Sequence, residues 1–266
     1  MIALALGAAA ATLSIPFAPP ATTFRYEKAQ EQDVRAGKWH FSVVWSVRFA
    51  PDGAGRRLEM TVTDYSTDAT GNPKHVFESS VAVLKGYTFA YKIGANGAII
   101  EPIDFDKGWA RMVESFETAM RISESDPAAT PEKKAGIRAL VASVENAPLE
   151  ARKARLMEDT RQLTDHAAIT APIGEAVGFS QAPAGPARIS GSETLTGSDG
   201  DIAHFVLDSR TDPASGAMIS VTEHVEADIS RTTGLLVKSV RTRVNSGPGN
   251  LTRTMIETRT LTPSGG

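Results

Sequence analysis

Between positions 39 and 49 the side chains alternate. Trp39, Phe41, Val43, Trp45, Val47 and Phe49 take every second place, with His40, Ser42, Ser46 and Arg48 among the residues between them. An extended chain sends successive side chains to opposite faces, so this spacing predicts a strand with one apolar side. Turn chemistry at 51–55 leads to a second alternating run, Leu58, Met60 and Val62 against Glu59, Thr61 and Thr63. Residues 24–27 read as an edge strand. A turn at 68–73 leads to residues 75–84, and Lys85-Gly86 reads as a hairpin connection into Tyr87, Phe89, Tyr91 and Ile93. With Asn96-Gly97 turning into 98–100, the first hundred residues predict a meander of about six short strands.

From Asp104 the period lengthens to that of a helix. Trp109, Met112, Val113, Phe116 and Met120 recur every three or four residues, with Asp104 or Asp106 placed to cap the N-terminus. Ser125-Asp126-Pro127 breaks the pattern, and Thr130-Pro131 restarts it through Ala135, Ile137, Leu140, Val141 and Val144. A third helix follows over about 149–164, so the helical insert spans about 104–166. Residues 170–200 are dense in Gly, Pro, Ala, Ser and Thr and predict a loop-rich return with short strands at 176–179 and 187–195. Strand patterning resumes at 203–208, 217–229, 235–244 and 251–261. In the second of these, Ile219, Val221, Val225, Ala227 and Ile229 share a face that Glu223 interrupts.

The order strands, helices, strands predicts an α+β fold. Its most economical form is a curved antiparallel sheet or half-barrel with the central helical insert packed on the concave face. One domain over 22–266 is expected, with a split near Asp104 or Thr170 as the alternative.

The N-terminus adds an expectation about location. Residues 1–12 are almost all Ala, Leu, Ile and Gly, and the first charged side chain is Arg25. That pattern predicts a signal peptide over about 1–21, cleaved between Ser14 and Ala21, and a periplasmic or secreted protein. Pro16, Pro19 and Pro20 stop a helix short of the roughly 20 residues that span a bilayer, so a retained anchor is a lesser alternative, a structured cytosolic N-terminus is the other, and the mature chain is expected to lack a transmembrane segment.

Composition narrows the function classes. With 28 Lys and Arg against 31 Asp and Glu, the chain lacks the positive field that binding to a phosphate backbone requires, and nucleic acid is not expected as a partner. The most basic run, 238–243, alternates and is expected to decorate a solvated strand face. The absence of cysteine removes disulfides, thiolate nucleophiles and a lipid-anchored N-terminus.

Three stretches carry a resemblance: Leu84-Lys85-Gly86-Tyr87-Thr88-Phe89, Ile93-Gly94-Ala95-Asn96-Gly97-Ala98-Ile99, and Asp228-Ile229-Ser230-Arg231-Thr232-Thr233-Gly234-Leu235-Leu236. With helices between them, they resemble uncharacterised exported bacterial domains related to periplasmic lipoprotein carriers. The resemblance implies a half-open barrel closed by helices around an apolar cavity for acyl chains, lined by Trp45, Val47, Phe89, Tyr91, Trp109, Met112 and Phe116. The other reading of these seven residues is a filled core, because apolar stripes at strand or helix spacing usually pack interiors.

No strong catalytic motif is present: no His-Glu-x-x-His, no Gly-x-Ser-x-Gly and no phosphate-binding loop. Asp165-His166 reads as a surface pair near a helix end, and His40 as a solvated side chain. His204 and His224 fall in neighbouring strands near Asp201, Asp208 and Glu223, a weak metal candidate, while Ser198-Asp199-Gly200-Asp201 reads as a turn rather than a calcium loop. No catalytic residue, metal ligand or cofactor is assigned. The expected function is that of an exported noncatalytic envelope protein with a binding or interaction role. The alternatives are a periplasmic carrier or binder of a lipid or other apolar molecule, and an atypical hydrolase or metal enzyme; the partners considered are an apolar small molecule and an envelope protein.

Overall fold

The computed structural model describes residues 11–34, 37–181, 188–212, 219–247 and 252–264. The first block runs β1 (Thr12–Ile15), β2 (Thr23–Val34), β3 (Gly37–Asp52), β4 (Gly55–Thr67), α1 (Asn72–Leu84), β5 (Thr88–Ile93) and β6 (Ile99–Ile103). The helices α2 (Phe105–Ser125), α3 (Pro131–Glu145) and α4 (Leu149–Arg161) follow. The chain ends with β7 (Ile169–Pro172), β8 (Ala176–Gln181), β9 (Ile189–Asp199), β10 (Ile202–Thr211), β11 (Ser220–Ser230), β12 (Leu236–Ser246) and β13 (Thr252–Pro263). Most of the apolar run at 1–12, and the first residues of the expected strands at 187, 217 and 251, lie outside the described residues.

All strands but β1 and β7 form one 11-stranded antiparallel sheet, in the order β6-β5-β4-β3-β2-β13-β12-β11-β10-β9-β8. Register shifts at 44/45, 92/93, 204/205 and 228/229 are bulges, which add local twist and let so wide a sheet curve while remaining open. The expected curved sheet with helices against one face is what the chain forms.

The expected edge strand at 24–27 instead belongs to β2, at the centre of the sheet. It pairs with β3 on one side and β13 on the other, through Tyr26 opposite Trp45 and Leu261, and so joins the N- and C-terminal blocks. Residues 75–84 are not a strand. Phe77, Val81 and Leu84 repeat at helical spacing, Pro73 sits in the first turn where its missing N–H costs nothing, and Phe77 packs on Phe41 and Tyr65 of the sheet. Lys85-Gly86 therefore connects a helix to a strand rather than closing a hairpin. The region 170–200 is also more ordered than its composition suggests, because β9 is an 11-residue strand whose partners supply the hydrogen bonds that its small polar residues do not advertise.

The apolar face of β3 points inward as its alternation requires, and Val47, Phe49, Leu58, Ile93 and Tyr26 are fully buried against Met157 and Leu163. The buried Tyr91 hydroxyl donates to the Leu156 carbonyl at 2.9 Å, tying β5 to α4. Thr130 caps α3 by accepting from the Lys133 N–H at 3.3 Å, with Pro131 in the first turn, as its sequence predicts.

β1 pairs antiparallel with β7, and this short ladder lies on the main core: Ile15 is 1% exposed, and Phe17 meets Phe49 edge-on at 6.2 Å. The Ala18 N–H donates to Thr233 at 2.9 Å. Cleavage between Ser14 and Ala21 would take β1 out of this packing.

Candidate functional site

The inner face of the sheet changes character from one half to the other. Over β3, β4 and β5 it is apolar. Over β11, β12 and β13, inward positions hold Glu223, Arg241, Glu257 and Arg259, joined by Lys28 of β2 and Asp159 of α4. Arg259 and Glu257 are 2% and 4% exposed, depths at which a lone charge is strongly disfavoured. They survive there as a balanced network of three cations and three anions. Arg259 Nη2 lies 2.6 Å from Glu257 and 3.2 Å from Asp159, Lys28 Nζ lies 2.7 Å from Asp159 and 3.4 Å from Glu257, and Arg241 approaches Glu223 at 3.4 Å and Glu257 at 3.8 Å. Crowding by the surrounding protein pushes the Asp159 carboxyl up, but Lys28 and Arg259 outweigh it and hold the group below its ordinary value. Arg241 thus faces the interior rather than the solvated side expected for the run 238–243. The interruption at Glu223 was its sequence signal.

Beside this network, over the part of the sheet beyond the end of α4, a cleft of ≈ 530 Å³ opens on the concave face. Its floor is apolar, from Phe205 and Leu207 of β10, Val225 and Ala227 of β11, and Phe179 of β8. Its rim is charged, from Arg161 at the end of α4, Asp165 and His166 just after it, Glu193 of β9, and the Glu223–Arg241 pair. His166 is no surface residue: its side chain is 14% exposed, its ring lies 4.3 Å from that of Phe205, and Nε2 meets Glu193 at 2.8 Å. That hydrogen bond, working against partial burial, lowers the Glu193 pKa.

The seven residues expected to line a cavity fall into two adjoining groups. Trp45, Val47, Phe89 and Tyr91 belong to the main core, and Phe89 also touches the cluster of Trp109, Val144 and Leu156, against which Met112 and Phe116 pack. A recess of ≈ 10 Å³ lies beside Phe89, Tyr91 and Gly108. None of the seven lines the larger cleft. Its floor residues fall in strands that the sequence predicts, over 176–179, 203–208 and 217–229, and escaped sequence reasoning because nothing local shows that the helices leave that part of the sheet uncovered.

On the convex face the histidines pair with carboxylates. Register sets His204 opposite Asp228 and His224 opposite Asp208, at 2.8 and 2.7 Å, so the two imidazoles do not meet. Among the described residues no group of three or more His, Asp or Glu is arranged to hold a metal. His40 lies 2.6 Å from Asp68 and 3.2 Å from Glu31, and those hydrogen bonds raise its pKa. A histidine with a raised folded-state pKa contributes stability that is fully present below the unfolded value and is lost as pH rises through the folded one. Ring-proton NMR should therefore show His40 titrating above about 6.5, and Asp68→Asn should move it back toward that value; an unmoved midpoint would remove the ion pair as the cause.

Together these features define an open α+β protein with a curved antiparallel sheet, a helical cover over one half of its concave face and a cleft over the other. No family profile and no curated protein matches the chain. A solved structure of lipovitellin, described for its lipid–protein interactions, is similar over 93% of this chain at a TM-score of 0.41 and 8% identity, and this chain spans 25% of that one. Among the described residues no helix is long and apolar enough to cross a membrane.

Proposed function

We propose that this is a noncatalytic binding protein whose concave cleft takes an amphiphilic molecule with an acyl-like apolar body. The observation that carries the reading is the cleft itself: ≈ 530 Å³ over an apolar floor with a charged rim on one side. Clefts that hold small ligands usually measure about 300–1,000 Å³ and combine apolar walls with a few placed polar groups. Phe205, Leu207 and Val225 would desolvate the apolar body, and the rim would orient the polar end. The proposal includes export, which rests on the uncharged apolar residues that precede Arg25.

A dansylated fatty acid is the probe. Saturable binding is expected for the full chain, and Leu207→Glu should weaken it by about tenfold or more, since a carboxylate in the floor must be desolvated by the bound chain. Phe116→Ala, in the helical cluster away from the cleft, should leave the affinity unchanged. The opposite pattern, loss with Phe116→Ala and none with Leu207→Glu, would refute this site.

A further inference from the structure

The two ends of the sheet differ in how they are protected. At one end β6 carries Glu101 and Pro102 among its five residues, and β5 beside it shifts register at 92/93. Charge, proline and irregularity are the usual devices that keep a sheet edge from pairing with another chain. At the other end β8 has none of them. Ala176, Val177, Gly178, Phe179 and Ser180 are uncharged and contain no proline, Val177 is 58% exposed, and among the described residues the strand is hydrogen-bonded on one side only, to β9.

We propose that β8 is a dimerisation edge, at which a second copy of this chain pairs antiparallel about a two-fold axis through Gly178. A two-fold contact requires a surface complementary to itself. The strand has that property in its sequence. With Gly178 on the axis, Gly178 faces its symmetry mate, Val177 lies opposite the partner's Phe179, and Ala176 lies opposite the partner's Ser180. Apolar residues meet apolar ones, small residues meet small ones, and no like charges are opposed. Alternation places Val177 on the same face as Phe179, and Phe179 lines the concave cleft, so both Val177–Phe179 contacts form on the concave side and bring the two clefts next to each other. The inference is independent of what the cleft binds.

The absence of cysteine makes the register directly testable. A side chain at position 178 has room, the nearest atom to an added Cβ being the Gly191 carbonyl oxygen at 3.9 Å. Directly opposed Cα atoms in an antiparallel pair are about 4.5–5.5 Å apart, within reach of a disulfide. Gly178→Cys should therefore give a covalent dimer under mild oxidation. Ser180→Cys should not, because its symmetry mate lies four positions away, about 13 Å along the strand. A mixture of Val177→Cys and Phe179→Cys chains reads the same register and should give the mixed dimer, which keeps the test valid if Gly178→Cys disturbs the fold. Light scattering should show a dimer for the unmodified chain and a monomer for Val177→Lys with unchanged circular dichroism. A monomeric unmodified chain, or equal cross-linking by Gly178→Cys and Ser180→Cys, would overturn the proposal.

Discussion

Replacing Arg259 by methionine should cost about 3 kcal/mol in chemical denaturation at neutral pH, in line with the loss of one member of a buried ion pair. The guanidinium is held between Glu257 and Asp159, and Met leaves three carboxylates facing two cations, with Glu257 buried where water does little to screen it and Asp159 partly exposed. Lys28 and Arg241 remain close to Glu257 and keep the loss from being larger. Two further results follow from the same geometry. The double variant Arg259→Met/Glu257→Met should be closer to the parent than Arg259→Met alone, because removing both partners leaves the remaining network balanced. The deficit of Arg259→Met should also narrow as pH falls. Asp159 has a depressed pKa in the parent, so its contribution is present above the unfolded value and is lost as pH drops through the folded one; the variant lacks one of the two main cations that depress it. A variant as stable as the parent at neutral pH would mean that the network is solvated rather than buried.

Gly234→Ala should be the most damaging small substitution in the turn between β11 and β12. The residue has φ +73, a left-handed conformation that costs an L side chain about 1–2 kcal/mol. Its Cβ would also overlap the backbone carbonyl oxygen of Pro16, an obstacle that no side-chain rotation relieves. Gly53 supplies the comparison, since it has φ +57 with open space around it. Gly53→Ala should show the conformational cost alone, while Gly234→Ala should lose about 3–5 kcal/mol and loosen the segment around β1. Denaturation gives the first difference, and faster proteolytic cutting within residues 11–20 gives the second. Equal losses for the two variants would show that Pro16 does not press on this turn.

The sheet was legible wherever one face is buried and the other wet. The alternation from Trp39 to Phe49 reported its own inward face, and the helical spacing of Trp109, Met112 and Phe116 reported the helix face that packs with Phe89, Val144 and Leu156. Residues 75–84 read as strand because Val76 beside Phe77 and the Ser79-Ser80 pair blur the period, so that only the 77, 81, 84 stripe separates helix from strand. The candidate cleft was scarcely legible. His166 reads as a surface residue near a helix end until Phe205 and Glu193, distant in sequence, are brought under it. Glu223 was visible as an exception, but its meaning depended on Arg241 reaching it diagonally from the neighbouring strand.

Local pattern alone determined the fold class, the succession of a strand block, a helical block and a second strand block, with α1 missed, and the inward face of most strands, because period and turn chemistry act over a few residues and are written in consecutive positions. Tertiary structure decided that β2 lies between β3 and β13, that six charges from four strands and one helix neutralise one another inside, and that the helices stop short of β8 and leave a cleft. Those outcomes depend on contacts between residues up to more than two hundred positions apart, such as Tyr26 with Leu261. No periodicity encodes such a contact, since its partners become neighbours only when the whole sheet assembles.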